Sequence, residues 1–97
     1  MLYNQSTGKQ REVSAADFIA WLESHDPNET YDFANNTGHC LIGQYNATHG
    51  LKWFKGHYRE SMDLIFGCYH TPQSRVLAAQ PQTFGGALKR TKEYLYV

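Results

Sequence analysis

Ala15, Phe18, Ile19 and Leu22 recur at the spacing that gathers side chains on one face of an α-helix. Ser14 before them is a natural N-cap, Asp17 lies three residues on, and Val13 and Phe18 occupy the two positions of a hydrophobic staple. The pattern predicts an amphipathic helix over residues 15–24, stopped at His25-Asp26-Pro27-Asn28 because the residue before proline is pushed out of the α region. Leu41, Ile42 and Tyr45 share a face of a second helix over about 38–48, capped from the turn Asn35-Asn36-Thr37-Gly38 and ended at Gly50. Tyr58, Met62, Ile65, Phe66 and Tyr69 form a longer stripe that predicts a third helix over roughly 59–67. Thr71-Pro72 reads as an N-cap followed by proline at the first helical position, opening a short helix to about Ala79 that Pro81 ends. Thr83 caps a last helix with Phe84, Leu88, Thr91 and Leu95 on one side and Lys89, Lys92 and Glu93 on the other.

The remaining stretches read as extended chain or turn. Residues 1–13, with a polar turn at Gln5-Ser6-Thr7-Gly8-Lys9, suggest a short extended piece or frayed hairpin, and Thr30-Tyr31-Asp32-Phe33 a short link. Residues 51–58 fit a tight hairpin turning at Lys55-Gly56 or the start of a helix, and the stripe from Tyr58 onward favours extended chain to about 57 with a helix after it. Gly85 and Gly86 cost about 1 kcal/mol each relative to alanine inside a helix, so their presence predicts close packing against a neighbour. The expected fold class is α+β and mostly helical: a compact single domain spanning 1–97, with four to five short helices and a minor strand or hairpin.

A chain of 97 residues has room for one modest core. Nine basic side chains balance nine acidic ones, so neither a basic nucleic-acid protein nor an acidic nucleic-acid mimic is indicated, since either needs a large field of one sign. The first residues show no signal-peptide pattern, and no apolar run approaches the ~18 residues a membrane span needs. The chain therefore reads as cytoplasmic with no membrane partner, and Cys40 and Cys68 as reduced thiols. The sequon asparagines Asn4, Asn28, Asn35 and Asn46 then read as turn and cap residues. Seven Tyr, five Phe and two Trp serve either a core or an adhesive surface.

Three groups of residues bear on chemistry. With Thr37 as N-cap, Cys40 stands in the first turn of the second helix, where free amides and the helix dipole lower a thiol's pKa. Paired with His57 or His70 it would make a cysteine nucleophile, against the alternative of a small core residue. His39-Cys40 and Cys68-Tyr69-His70 supply a formal zinc set, but adjacent helical residues point about 100° apart and the ligand gaps are wrong. No metal and no cofactor is expected. The run Lys52, Trp53, Phe54, Lys55, His57, Tyr58 and Arg59 interleaves aromatic and basic side chains, which suits a protein interface or a single-stranded nucleic acid. Direct nucleic-acid binding is the lesser alternative, because the run lacks the RNA-recognition signature. No dinucleotide fingerprint, phosphate loop or nucleophile elbow is present, so a non-enzymatic role is expected, with a small cysteine-dependent enzyme as the alternative.

The order Asp17-Phe18-Ile19-Ala20-Trp21-Leu22-Glu23, then Tyr31-Asp32-Phe33, Cys40 with Gln44-Tyr45, and Thr83-Phe84-Gly85 before a basic helix resembles small phage and mobile-element proteins. That resemblance implies an inhibitor of a host defence system, of the anti-CRISPR kind, acting on a host protein or ribonucleoprotein complex in the host cytoplasm. It carries no site residues with it. A homodimer is open, since the Phe84/Leu88/Leu95 stripe either closes the core or pairs two subunits.

Overall fold

Ser14 begins the first helix as its neighbours predict: its hydroxyl accepts from the Asp17 amide at 3.0 Å, satisfying one of the orphan donors of the first turn. Helix α1 runs Ala15–Glu23 and buries Phe18, Ile19, Trp21 and Leu22. The computed structural model describes residues 3–4, 9–10, 12–34, 40–51 and 55–96. Helix α2 is Leu41–Ala47, α3 is Lys55–Phe66, α4 is His70–Pro72 running directly into a π-helical turn at Gln73–Leu77, and α5 is Phe84–Tyr96. Tyr3–Asn4 (β1) pairs antiparallel with Lys9–Gln10 (β2), Tyr3 opposite Gln10 and Asn4 opposite Lys9. The mostly helical expectation holds, whereas a strand layer does not emerge from a ladder this short.

Residues 55–57 depart from the expected extended chain. Lys55 and Gly56 are the first residues of α3, so the helix starts four residues before the expected position 59. The physical reason is continuity of the stripe: Tyr58, Met62, Ile65 and Phe66 are all buried, and the extra N-terminal turn sets Tyr58 firmly on the core face. Residues 52–54 lie outside the described residues. The fourth helix also begins earlier than expected, at His70 with Tyr69 in the N-cap position, and Thr71 is inside it.

One cluster holds the domain together. Phe18 sits with its ring 5.0 Å from Tyr45 and 5.9 Å from Phe66, both edge-on. Trp21 meets Tyr45 and Phe84 at 5.3 and 5.4 Å. These aromatic contacts tie α1 to α2, α3 and α5, each adding a modest increment to the area buried. Between α2 and α3 a buried polar pair, the Ser61 hydroxyl donating to Asn46 Oδ1 at 2.6 Å, fixes their relative register. Asn46 is thus a buried helix residue and not the turn residue its sequon suggested. Asn28 does occupy a turn, its amide donating to Asp26 Oδ1.

At the junction between the 27–31 link and the start of α5, three of the helix's orphan amides find partners. The first four amides of a helix have no partner within it. Here Phe84 N donates to Glu29 O at 2.8 Å, Gly85 N to Pro27 O at 2.9 Å, and Gly86 N to Thr83 Oγ1 at 3.0 Å. Tyr31 N donates to Gln82 O, and Thr30 and Thr83 form an isolated antiparallel bridge. So close an approach explains the glycine pair. A Cβ on Gly85 would stand 2.8 Å from Pro27 Cβ, and one on Gly86 would stand 2.7 Å from Pro81 O. Along the rest of α5, Phe84, Ala87 and Thr91 are buried and Leu88, Tyr94 and Leu95 pack against the core, while Lys89, Lys92 and Glu93 are exposed. The stripe therefore closes this chain's own core.

Candidate functional site

Cys40 is where sequence and structure differ most in chemical meaning. It is the N-cap of α2 itself and not a residue in its first turn, with Sγ accepting from the Gly43 amide at 3.4 Å. Residues 35–39, including Thr37 and His39, lie outside the described residues. The thiol is 3% exposed, and burial pushes its pKa up, against a smaller downward pull from the Gly43 amide. Desolvation of the thiolate outweighs the backbone amides of Gly43, Cys40 and Ile42, because weak N–H···S contacts do not replace the hydration lost. Cys40 caps a helix and fills space beside Leu41.

Cys68, half-buried, lies with its sulfur 3.2 Å from the Tyr94 hydroxyl, and that hydrogen bond pushes the Tyr94 phenol up. Among the described residues no group of three or more His, Cys, Asp or Glu side chains is placed to hold a metal ion.

The aromatic-basic run is divided by the structure. Tyr58 faces inward, 7% exposed, with its hydroxyl reaching Gln73 Oε1 at 3.4 Å. Burial drives its phenol far above the ordinary range. It packs in the core of this structure. His57 is half-buried, Lys55 opens α3, and Lys52, Trp53 and Phe54 lie outside the described residues. Arg59 is exposed, and its guanidinium carbon lies 4.5 Å from the centre of the Tyr69 ring. A cation held on an aromatic face loses less freedom on binding than a free one.

Helix periodicity gives Arg59 its neighbours. Gly56, Arg59, Glu60, Asp63 and Leu64 are all exposed and follow one another at i, i+3, i+4, i+7 and i+8, forming the outer face of α3. Leu64 at 56% and Tyr96 at 67% are the exposed large apolar side chains among the described residues. Leu64 thus shares this face with one arginine and two carboxylates, at the edge away from Arg59 and Tyr69. The aromatic-basic run pointed to the first turn of this helix, and helical spacing pairs Arg59 with Asp63, but Glu60 and Leu64 were not joined to the same face. The i, i+4 spacing of Arg59 with Asp63, and of Glu60 with Leu64, is the signal that joins them once the helix is known to begin at Lys55.

A polar network that no local motif announces sits at the opposite side of the core. Asp17 Oδ2 accepts from the Tyr45 hydroxyl at 2.6 Å and is 2.9 Å from His49 Nε2. His49 is buried and Asp17 half-buried, so the carboxylate ties the first turn of α1 to the end of α2. In chain order Tyr45 lies in α2 and His49 four residues on, in the turn that follows it. Their partner, 28 and 32 residues upstream, is supplied only by helix packing.

Comparison with family models, with curated proteins and with solved structures finds no match to this chain. No helix among the described residues is long and apolar enough to cross a membrane.

Proposed function

We propose that this chain is a non-enzymatic binding protein that inhibits or modulates a larger macromolecular complex through protein–protein contacts made by the outer face of α3. The observation that carries the reading is the exposed outer face of α3, with Arg59 held over Tyr69 at one edge and Leu64 at the other. Arginine and aromatic side chains dominate binding hot spots, and an exposed apolar side chain on the same face adds surface that a partner can bury. The mixed charge favours protein over nucleic acid: Glu60 and Asp63 on the same face repel phosphates that Arg59 would attract. The enzymatic alternative loses support from the buried, up-shifted Cys40 thiol.

In its most concrete form the target is a host defence ribonucleoprotein of the CRISPR effector kind, reached in the host cytoplasm. Purified effector complexes assayed for target cleavage test this directly. The wild-type protein is expected to inhibit stoichiometrically, and the Arg59→Glu/Leu64→Glu variant, folded by circular dichroism, is expected to lose the effect by at least about tenfold, as removal of a hot-spot pair does. Absence of inhibition, together with recovery of no protein partner from host lysate, overturns the reading.

A further inference from the structure

The π-helical turn Gln73–Leu77 and the last turns of α5 enclose a cavity of about 220 Å³ lined by Arg75, Val76, Arg90, Glu93 and Tyr94. Its floor is built. Arg90 Nε donates to Val76 O at 2.7 Å and Nη2 to the Tyr31 hydroxyl at 3.2 Å. Tyr31 in turn donates to Leu77 O at 2.6 Å, so two carbonyls at the end of the π turn are capped by side chains from elsewhere in the fold. These contacts orient the Arg90 guanidinium rigidly through neutral acceptors and leave the remaining N–H groups of its fork unused by them. Neither Arg75 nor Arg90 forms an ion pair among the described residues. Two unpaired guanidinium groups at one concavity, one of them half-buried and pre-oriented, amount to positive charge that the fold has not neutralised. Departures from regular α-helix of this kind are themselves frequent at binding sites.

We propose that this cleft binds a single carboxylate group, presented by an acidic side chain of a protein partner. The site follows from the cleft alone; only the source of the carboxylate rests on the function proposed above. Charge selects the ligand: two arginines and one glutamate line the cleft, a net of one positive charge that a carboxylate neutralises, while a phosphate dianion would be left in excess beside Glu93. The planar carboxylate also matches the guanidinium fork, which holds it through parallel N–H···O bonds.

The test titrates the full chain, isotopically labelled, with a blocked glutamate (N-acetylated, C-amidated), its glutamine counterpart and inorganic phosphate, reading the arginine Nε–Hε resonances. Saturable movement of the Arg75 and Arg90 signals is expected with the glutamate and none with the glutamine. Arg75→Gln, an exposed position outside the core, is expected to weaken binding about tenfold, the effect of one lost charge-assisted contact. Glu93→Gln is expected to tighten it by about threefold by removing a like charge. No saturable shift, equal shifts with glutamine, an unchanged Arg75→Gln, or tighter binding of phosphate each overturns the proposal. The Arg59→Glu/Leu64→Glu variant leaves this titration unchanged, so failure of the α3 face and failure of the cleft are read separately.

Discussion

Gly85→Ala probes the tightest junction in the molecule. The added methyl would meet Pro27 Cβ at 2.8 Å and Pro27 O at 2.9 Å, both inside normal contact distance. Neither neighbour is the end of a flexible side chain. Pro27 is ring-constrained, and its carbonyl already accepts the Gly85 amide, while the adjacent Glu29 carbonyl accepts that of Phe84. Relief therefore requires the 27–29 link to move off α5, which stretches those two hydrogen bonds. Overpacking of this sort costs about 1–3 kcal/mol, and weakening one backbone bond about 1 kcal/mol more. The better helix propensity of alanine returns at most about 1 kcal/mol. The net destabilisation is about 1–3 kcal/mol, a fall in Tm of roughly 5–20 °C for a domain of this size. Thermal melts followed by circular dichroism measure it, with urea titration as a check on two-state behaviour. Gly67→Ala is the internal control. Nothing lies within 4 Å of a Cβ there, so only the left-handed backbone at φ +78° opposes the change, at about 1–2 kcal/mol. A Gly85→Ala protein melting at or above the wild type would refute the described interlock of the 27–31 link with α5.

Three further outcomes follow from the core and its thiols. At neutral pH an alkylating probe is expected to label Cys68 well before Cys40, because burial raises the Cys40 pKa and shields its sulfur; peptide mass spectrometry reads the order, and faster labelling of Cys40 would restore the cysteine-enzyme reading. The buried phenols of Tyr31 and Tyr58 are raised above their ordinary value of 10.0, so the stability they contribute is fully present below that pH and is lost as pH rises beyond it. Denaturant midpoints are expected to fall steadily above about pH 10, and Tyr58→Phe should flatten that decline; an unchanged slope would contradict a buried Tyr58. Asp17→Ala leaves the Tyr45 hydroxyl and His49 without this acceptor and should cost about 1–3 kcal/mol in urea unfolding, whereas a loss within about 0.5 kcal/mol would mean that the network contributes little.

The helices were legible because each stripe is a local property of the chain. Ser14 and Thr83 cap as their spacing predicts, and the Gly85-Gly86 pair announces a close contact, though not that Pro27 and Pro81 are the partners. The candidate site was legible only in part. Arg59 was singled out correctly as exposed, but Tyr58, its neighbour in sequence, faces the core, because consecutive helical residues diverge by about 100°.

By itself the sequence determines the positions and inward faces of the main helices, their breaks near Pro27 and Gly50, and the balanced charge that argues against a strong nucleic-acid field. These depend on periodicity, backbone sterics and composition, all short-ranged or additive. Only the tertiary structure decided that Cys40 is a buried cap, that Asp17 collects Tyr45 and His49, and that Arg75 and Arg90 meet across a cleft. Each of those depends on which helix packs against which. That choice is made by the shape and volume of the whole Phe18–Trp21–Tyr45–Phe84 cluster, a collective property that no window of the chain contains.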